Sequence, residues 1–448
     1  MDRRSFLGRV GALGWAAHAA AGPQGPRPPS ILLVLADAWR GQALEAAGDP
    51  NLRAPNLDEL IRTGVLFPRA YTPNPACAPA RAALLTGRYP HACRVLADGR
   101  PLPADERTVS EALAEAGYAT GFIGKWALDG ADEPGFVPPG PRRRGFAFWA
   151  AFNRGHRYFD PVYFRDSPQA QRGEGFEPEY QTRLACDFIR EHAMRPFFLV
   201  LAWGPPHPPR TPPAAYAQLY DPARLRLRAN VPGGAAAEAR QALAGYYGLC
   251  SALDACLGRL LTVLKQTGTA EDTVVVFTSD HGEMLGSHGL DLAEAPFEEA
   301  VRIPLLIRYP RAGRVGRRAE TFVSSVDLAP TLLVLAGLEP LEGMQGRDLS
   351  AHLVSGEGSR AESVYVQGRL ATPAEWRMLV RGLDKVVVDR ELRVTNLYNL
   401  GQDPYERRNL AFEPGQARRR DEMTAILRDR MRRLGDRVLP SGLKIRQS

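Results

Sequence analysis

An α/β fold is what this sequence predicts: a mostly parallel central sheet sandwiched by helices, plus a smaller C-terminal α+β domain with a short antiparallel sheet. Two observations predict the larger part. From Ser30 onward short apolar runs alternate with helical stretches, and the runs are continuously apolar, as strands covered on both faces must be. A third observation predicts the smaller part, because beyond about residue 355 the pattern changes to short strands followed by an Arg-rich helix.

The strand runs are, in order, Ile31-Leu32-Leu33-Val34-Leu35, Gly121-Phe122-Ile123, Phe197-Phe198-Leu199-Val200-Leu201, Thr273-Val274-Val275-Val276-Phe277 and Pro304-Leu305-Leu306-Ile307. Between the third and fourth, Leu249, Leu253, Leu257, Leu260 and Leu264 mark one face of a core helix over residues 246–264. Cys250 and Cys256 lie about 240° apart around that helix, so they are small core residues that do not share a face. Residues 130–180, rich in Gly, Pro, Arg and aromatics, predict a long irregular insertion that lines a pocket. Runs at 363–366, 378–380 and 385–388 predict the short C-terminal strands, and residues 413–434 the tail helix. The predicted division is a larger domain over 30–355 and a smaller domain over 356–448.

Composition narrows the function classes. Of 448 residues, 44% are hydrophobic and 24% charged, which excludes a polytopic membrane protein and a disordered chain. No apolar run beyond the N-terminus predicts a bilayer span, so an integral membrane protein is not expected. The formal charge of +7 is a mild bias toward anionic partners. Arginines are scattered and not interleaved with aromatics in one basic run, so nucleic acid is not an expected partner. Five cysteines without a CxxC pair exclude a disulfide scaffold and a zinc knuckle.

At the N-terminus, Arg3-Arg4-Ser5-Phe6-Leu7 and the Ala/Gly-rich stretch to Ala21 resemble a bacterial twin-arginine export signal. Gly8, Gly11 and Gly14 argue against an ordinary amphipathic helix there. The expectation is a signal over 1–21, a Pro/Gly linker over 22–29, the twin-arginine translocase as a partner, and a periplasmic or secreted location.

In a parallel α/β sheet, ligands bind beyond the carboxyl ends of the strands. The predicted strands are followed there by Asp37, Lys125, His207 and the pair Asp280-His281. One cation, two carboxylates and two histidines thus converge on one edge of the sheet.

The most specific motif is Cys77-Ala78-Pro79-Ala80-Arg81, ending in Leu84-Leu85-Thr86-Gly87-Arg88. It resembles the sulfatase signature, in which Cys-x-Pro-x-Arg directs oxidation of the cysteine to formylglycine. The resemblance extends through Leu35-Ala36-Asp37, Pro55-Asn56-Leu57-Asp58, Gly124-Lys125-Trp126, Gly204-Pro205-Pro206-His207-Pro208, Ser279-Asp280-His281-Gly282-Glu283, Val326-Asp327-Leu328-Ala329-Pro330-Thr331 and Leu397-Tyr398-Asn399-Leu400. It implies an alkaline phosphatase-like fold and hydrolysis of a sulfate ester on a small molecule or glycan. It also implies a formylglycine-generating enzyme as partner, and one divalent metal ion, usually calcium (Ca2+), on Asp37, Asp280, His281 and the modified Cys77. By the same resemblance Arg81 holds the formylglycine hydrate, Lys125 binds sulfate oxygens, and His207 protonates the leaving oxygen or helps to bind it. Two alternatives use the same site: a phosphodiester or phosphonate monoester hydrolase, and a non-catalytic member that binds sulfated glycans.

The chain departs from the family pattern in three places. Ala38 stands where many members have a second Asp, Ala127 where many have a histidine after Gly-Lys-Trp, and Ala293 where a lysine is usual. His288 and Asp129 are candidate replacements. His91 is expected to brace the helix after the signature, and Arg154, His156 and Arg157 to form a solvated basic loop.

Overall fold

The computed structural model describes residues 27–313 and 315–437; the signal expected over 1–21 and most of the linker over 22–29 lie outside the described residues. The central sheet has eight strands. From edge to edge they are Arg317–Arg318, Val65–Leu66, Leu305–Arg308, Thr273–Ser279, Ser30–Asp37, Phe197–Pro206, Ala119–Lys125 and Phe148–Phe152. Ser30–Asp37 sits near the centre, with Ile31 opposite both Phe198 and Val274 in parallel register.

Side chains alternate across a strand, and this strand feeds two cores accordingly. Leu32 and Val34 face a core shared with the helices Pro55–Thr63, Glu177–Glu191 and Ala236–Gln266. Ile31, Leu33 and Leu35 face the opposite core, with Cys77–Thr86, Val109–Glu115 and Leu328–Leu335. Cys250 and Cys256 are fully buried in the first core. That core's long helix, within Gly233–Gln266, is in fact apolar and long enough to cross a membrane on composition alone, although most of it is buried against the sheet.

The sheet is mostly parallel, as expected, and mixed at the side where Leu305–Arg308 runs antiparallel to its neighbour Thr273–Ser279. One element differs from expectation, because part of the expected irregular insertion is regular: Phe148–Phe152 pairs in parallel with Ala119–Lys125 and forms the sheet's far edge. Its Phe-Trp-Ala-Ala-Phe run is nearly all buried, with Trp149 stacked on Phe122, and this packing holds it extended between the Gly- and Arg-rich flanks.

The C-terminal sheet is antiparallel, in the order Ser363–Gly368, Trp376–Arg381, Asp384–Asp389 and Val394–Asn399. Helix Ala417–Leu434 covers one face through Met423, Leu427 and Met431. The other face meets the larger domain through a cluster that includes Tyr71, Met284, Val366, Trp376 and Met378.

Candidate active site

Cys77 is the first residue of the helix Cys77–Thr86. Residues four apart share a helix face, so the spacing of the signature sets Arg81 beside Cys77. Pro79 sits in the first turn, where a missing N–H costs nothing. The Asp98 carboxylate accepts from the Ala78 N–H, which has no partner within the helix, at 2.7 Å, and Gly87, left-handed at φ 65°, closes the helix.

The strand ends bring the other groups to that helix. Asp37, Lys125, Asp280 and His281 are all buried, as are Cys77 and Arg81. Donor atoms of Asp37, Cys77, Asp280 and His281 lie within 4.8 Å of one another. Cys77 Sγ is 3.7 Å from both Asp37 oxygens, 3.4 Å from His281 Nε2 and 3.4 Å from Lys125 Nζ. Arg81 donates to Asp280 at 2.9 Å, to Asp37 at 3.2 Å and to the Lys125 carbonyl at 2.5 Å. Its guanidinium is therefore committed to holding two carboxylates and a strand end. Lys125 Nζ reaches Asp37 Oδ2 at 2.6 Å. Burial alone would raise the Asp37 pKa, but Lys125, His207, Arg81 and His281 together hold it well below the usual carboxylate range.

Gly124 is required where Lys125 leaves its strand. It has φ 105°, and a Cβ there would lie 2.0 Å from the Ala202 carbonyl oxygen. Only glycine accepts both conditions.

The donor set fits a divalent cation. His281 Nδ1 lies 2.8 Å from the Gly282 carbonyl; donating there leaves the Nε2 lone pair turned toward Asp37 and Cys77. Burial opposes a charged imidazole, yet Asp280, Cys77 and Asp37 raise the His281 pKa well above its usual value, the mark of a negatively charged surround that would equally attract a metal cation. Two carboxylates and one imidazole suit calcium, magnesium or manganese better than a thiophilic ion. As a thiol, Cys77 is poorly activated: burial and Asp37 push its pKa up. Ala38, in place of a second Asp, is left-handed at φ 66° and donates its N–H to Asp280 at 3.1 Å.

His207 follows its strand directly. Its backbone N–H donates to the Asp37 carbonyl at 3.0 Å, and its Nδ1 lies 2.9 Å from the Pro208 carbonyl. Burial pushes its pKa down despite the opposing effect of Asp37. Tyr158 braces the same loop, donating to Gly204 and His207 carbonyls.

His156 was expected on a solvated loop, and the structure places it in the pocket. Its Nε2 is 3.0 Å from Lys125 Nζ, and its ring stacks on His207 with centroids 4.0 Å apart. Burial and Lys125 push its pKa down to about 3. The signal for it was present: applying the strand-end rule to the Phe148–Phe152 run leads to His156 as it led to His207. Arg154 and Arg157 line a cavity of about 500 Å³ next to it, with Phe152, Pro134 and Glu177.

The other candidates are engaged elsewhere. Asp129 pairs with Arg142 at 2.7 and 2.5 Å. His288 stacks on Phe297 and meets Asn230 at 3.0 Å. His91 bridges Gln367 and the Leu434 carbonyl, tying the helix after the signature to the C-terminal elements. Ala127 is buried, and Ala293 packs against the cluster beneath the C-terminal sheet.

The chain is similar to known proteins over most of its length. The family model described as "Sulfatase" matches residues 29–338, and the one described as "N-sulphoglucosamine sulphohydrolase, C-terminal" matches 286–434. The chain is 32% identical over 422 residues to the ulvan-active sulfatase of Formosa agariphila, covering 92% of this chain and 82% of that protein. Among solved structures, the yidJ protein of Bacteroides fragilis superposes with a TM-score of 0.86 at 27% identity, covering 93% of this chain and 98% of that one. The phosphonate monoester hydrolase of Agrobacterium radiobacter gives a TM-score of 0.75 at 25% identity, covering 92% and 96%. With the matched family model spanning well over half of its length, the chain belongs to the sulfatase family and is a sulfuric ester hydrolase.

Proposed function

We propose that the protein is an exported sulfatase that cleaves a sulfate ester with a formylglycine made from Cys77 and one divalent metal ion, calcium being the expected one. The observation that carries this reading is the buried cluster in which Asp37, Asp280 and His281 converge on Cys77, with Arg81 and Lys125 against it. The thiol's sulfur marks the place of a formylglycine oxygen. Asp37, Asp280, His281 and residue 77 would hold the metal, which supplies positive charge to polarise oxygen there. The aldehyde supplies, as its hydrate, an oxygen nucleophile for sulfur and a second hydroxyl through which sulfate is expelled.

The chain's own groups do the rest. Arg81 keeps Asp37 and Asp280 in place and offsets their repulsion. Lys125 binds a sulfate oxygen and stabilises its charge. His207, oriented through Nδ1, presents Nε2 to the leaving oxygen and protonates it. Export through the twin-arginine translocase, after conversion of Cys77 by a formylglycine-generating enzyme, completes the reading and places the enzyme in the periplasm or outside.

The Agrobacterium likeness favours one second reading, a phosphonate monoester hydrolase on the same site. The deciding experiment is the mass of the Cys77 peptide, from protein made with a formylglycine-generating enzyme and from a native-like exporting host. Turnover of matched aryl sulfate and aryl phosphonate esters follows on the same material. Conversion with preferred sulfate release is expected. Preferred phosphonate turnover selects the second reading, and an unmodified thiol in both preparations removes the formylglycine mechanism.

A further inference from the structure

A lysine ammonium carries three hydrogens in a tetrahedral arrangement and rotates freely unless its acceptors fix it. Three groups surround Lys125 Nζ. Asp37 Oδ2 is at 2.6 Å, His156 Nε2 at 3.0 Å and Cys77 Sγ at 3.4 Å. The carboxylate and the imidazole are the stronger acceptors. With both engaged, the third hydrogen is left directed at residue 77 and the sulfate oxygens that would lie beside it. Without the imidazole, the ammonium would pivot about its Asp37 bond and that direction would be lost.

His156 is suited to this. To accept at Nε2 it must carry its proton on Nδ1, and burial beside Lys125 keeps the ring neutral. Its other face lies flat on His207, within 10° of parallel. One side chain thus sets both the rotation of Lys125 and the ring plane of His207. It comes from a strand and loop that lie outside the signature motifs, in a chain where Ala127 withholds the usual imidazole.

We propose that His156 is a positioning residue of the sulfate pocket, holding the Lys125 ammonium toward residue 77 and the His207 ring toward the leaving oxygen. The inference rests on the sulfatase reading of the Cys77 site. It requires a hydrogen-bond acceptor at position 156 and not merely a side chain of that volume.

The test compares His156→Leu with His156→Gln, whose amide oxygen accepts from an ammonium. In protein with verified Cys77 conversion, His156→Leu should lower kcat for p-nitrophenyl sulfate by about 10–100-fold, the range for losing a partner that orients a functional group. His156→Gln should recover most of that loss. A second readout needs no aldehyde: calorimetric binding of inorganic sulfate to the Cys77→Ala protein, carrying each substitution in turn. There His156→Leu should weaken binding by about 10-fold and His156→Gln by much less. Equal impairment by both substitutions, or unchanged sulfate affinity in both, overturns the proposal. If His156→Leu does not fold, a His156→Gln protein that folds but binds sulfate about 10-fold more weakly overturns it as well. Fully converted wild-type protein that releases no sulfate from any ester would refute the sulfatase reading instead, while the sulfate-binding series still decides the role of His156.

Discussion

The imidazole of His156 lies flat on that of His207, ring centroids 4.0 Å apart and planes within 10° of parallel. Two stacked imidazolium cations would repel, and each ring is held toward its neutral form: burial pushes both pKa values down, and Lys125 adds to the effect at each. The pair gives the pocket a neutral wall beside a strongly charged floor of Asp37, Asp280, Arg81 and Lys125.

This has a consequence for pH dependence. His207 donates only when protonated, and that form is lost as pH rises through its lowered pKa. For an alkyl or sugar sulfate, which needs its leaving oxygen protonated, kcat/KM should fall with rising pH. For p-nitrophenyl sulfate, whose leaving group departs as an anion, the fall should be shallower. His207→Gln should flatten the first profile; identical profiles for both esters in the wild type would rule out proton donation by His207.

Asp280 is paired with Arg81 at 2.9 Å within the candidate metal site. Asp280→Asn should abolish stoichiometric calcium binding and lower activity on the order of 100-fold or more. Elemental analysis of purified protein checks the first and turnover the second. A variant that keeps one ion per chain would mean that the ligand assignment is wrong.

Glu177 lies wholly buried beside Tyr158 and Gly204, and burial pushes its pKa up to about 8. Between its unfolded and folded pKa values the folded state holds a proton that the unfolded state has released, so the folded state loses stability as pH rises. The loss is limited to about 1.4 kcal/mol per pH unit. Glu177→Gln removes this titration, so the stability gap between variant and wild type should widen in favour of the variant from pH 5.5 to 7.5. Parallel urea-unfolding stabilities across that range would contradict the assignment.

Gly124→Ala should destabilise the fold by about 3 kcal/mol or more, because it combines a left-handed φ with a clash against the Ala202 carbonyl. Thermal unfolding checks this, and a variant with the wild-type Tm would show that the strand end yields more easily than its packing implies.

Much of the site was legible in the sequence because its determinants are local. Cys77 and Arg81 stand four residues apart within one motif. Asp37, Lys125, His207 and Asp280 follow from the rule that parallel strands deliver functional groups at their carboxyl ends. Their strands are buried on both faces, and that leaves a continuous apolar signature that needs no partner to be recognised. Phe148–Phe152 has the same signature, but its flanks of Gly, Pro and Arg mask it, and with it the position of His156.

By itself, then, the sequence determined the α/β class, the Cys77-to-Arg81 motif, and the strand ends that deliver Asp37, Lys125, His207 and Asp280, since each is written within a short segment. Only the tertiary structure decided that Arg81 spends its donors on two carboxylates, that Asp129 and His288 are engaged outside the pocket, and that a second imidazole stands beside Lys125. These are distances between segments far apart in the chain, brought together when neighbouring strands pair and helices cover them, and no local pattern encodes such a distance.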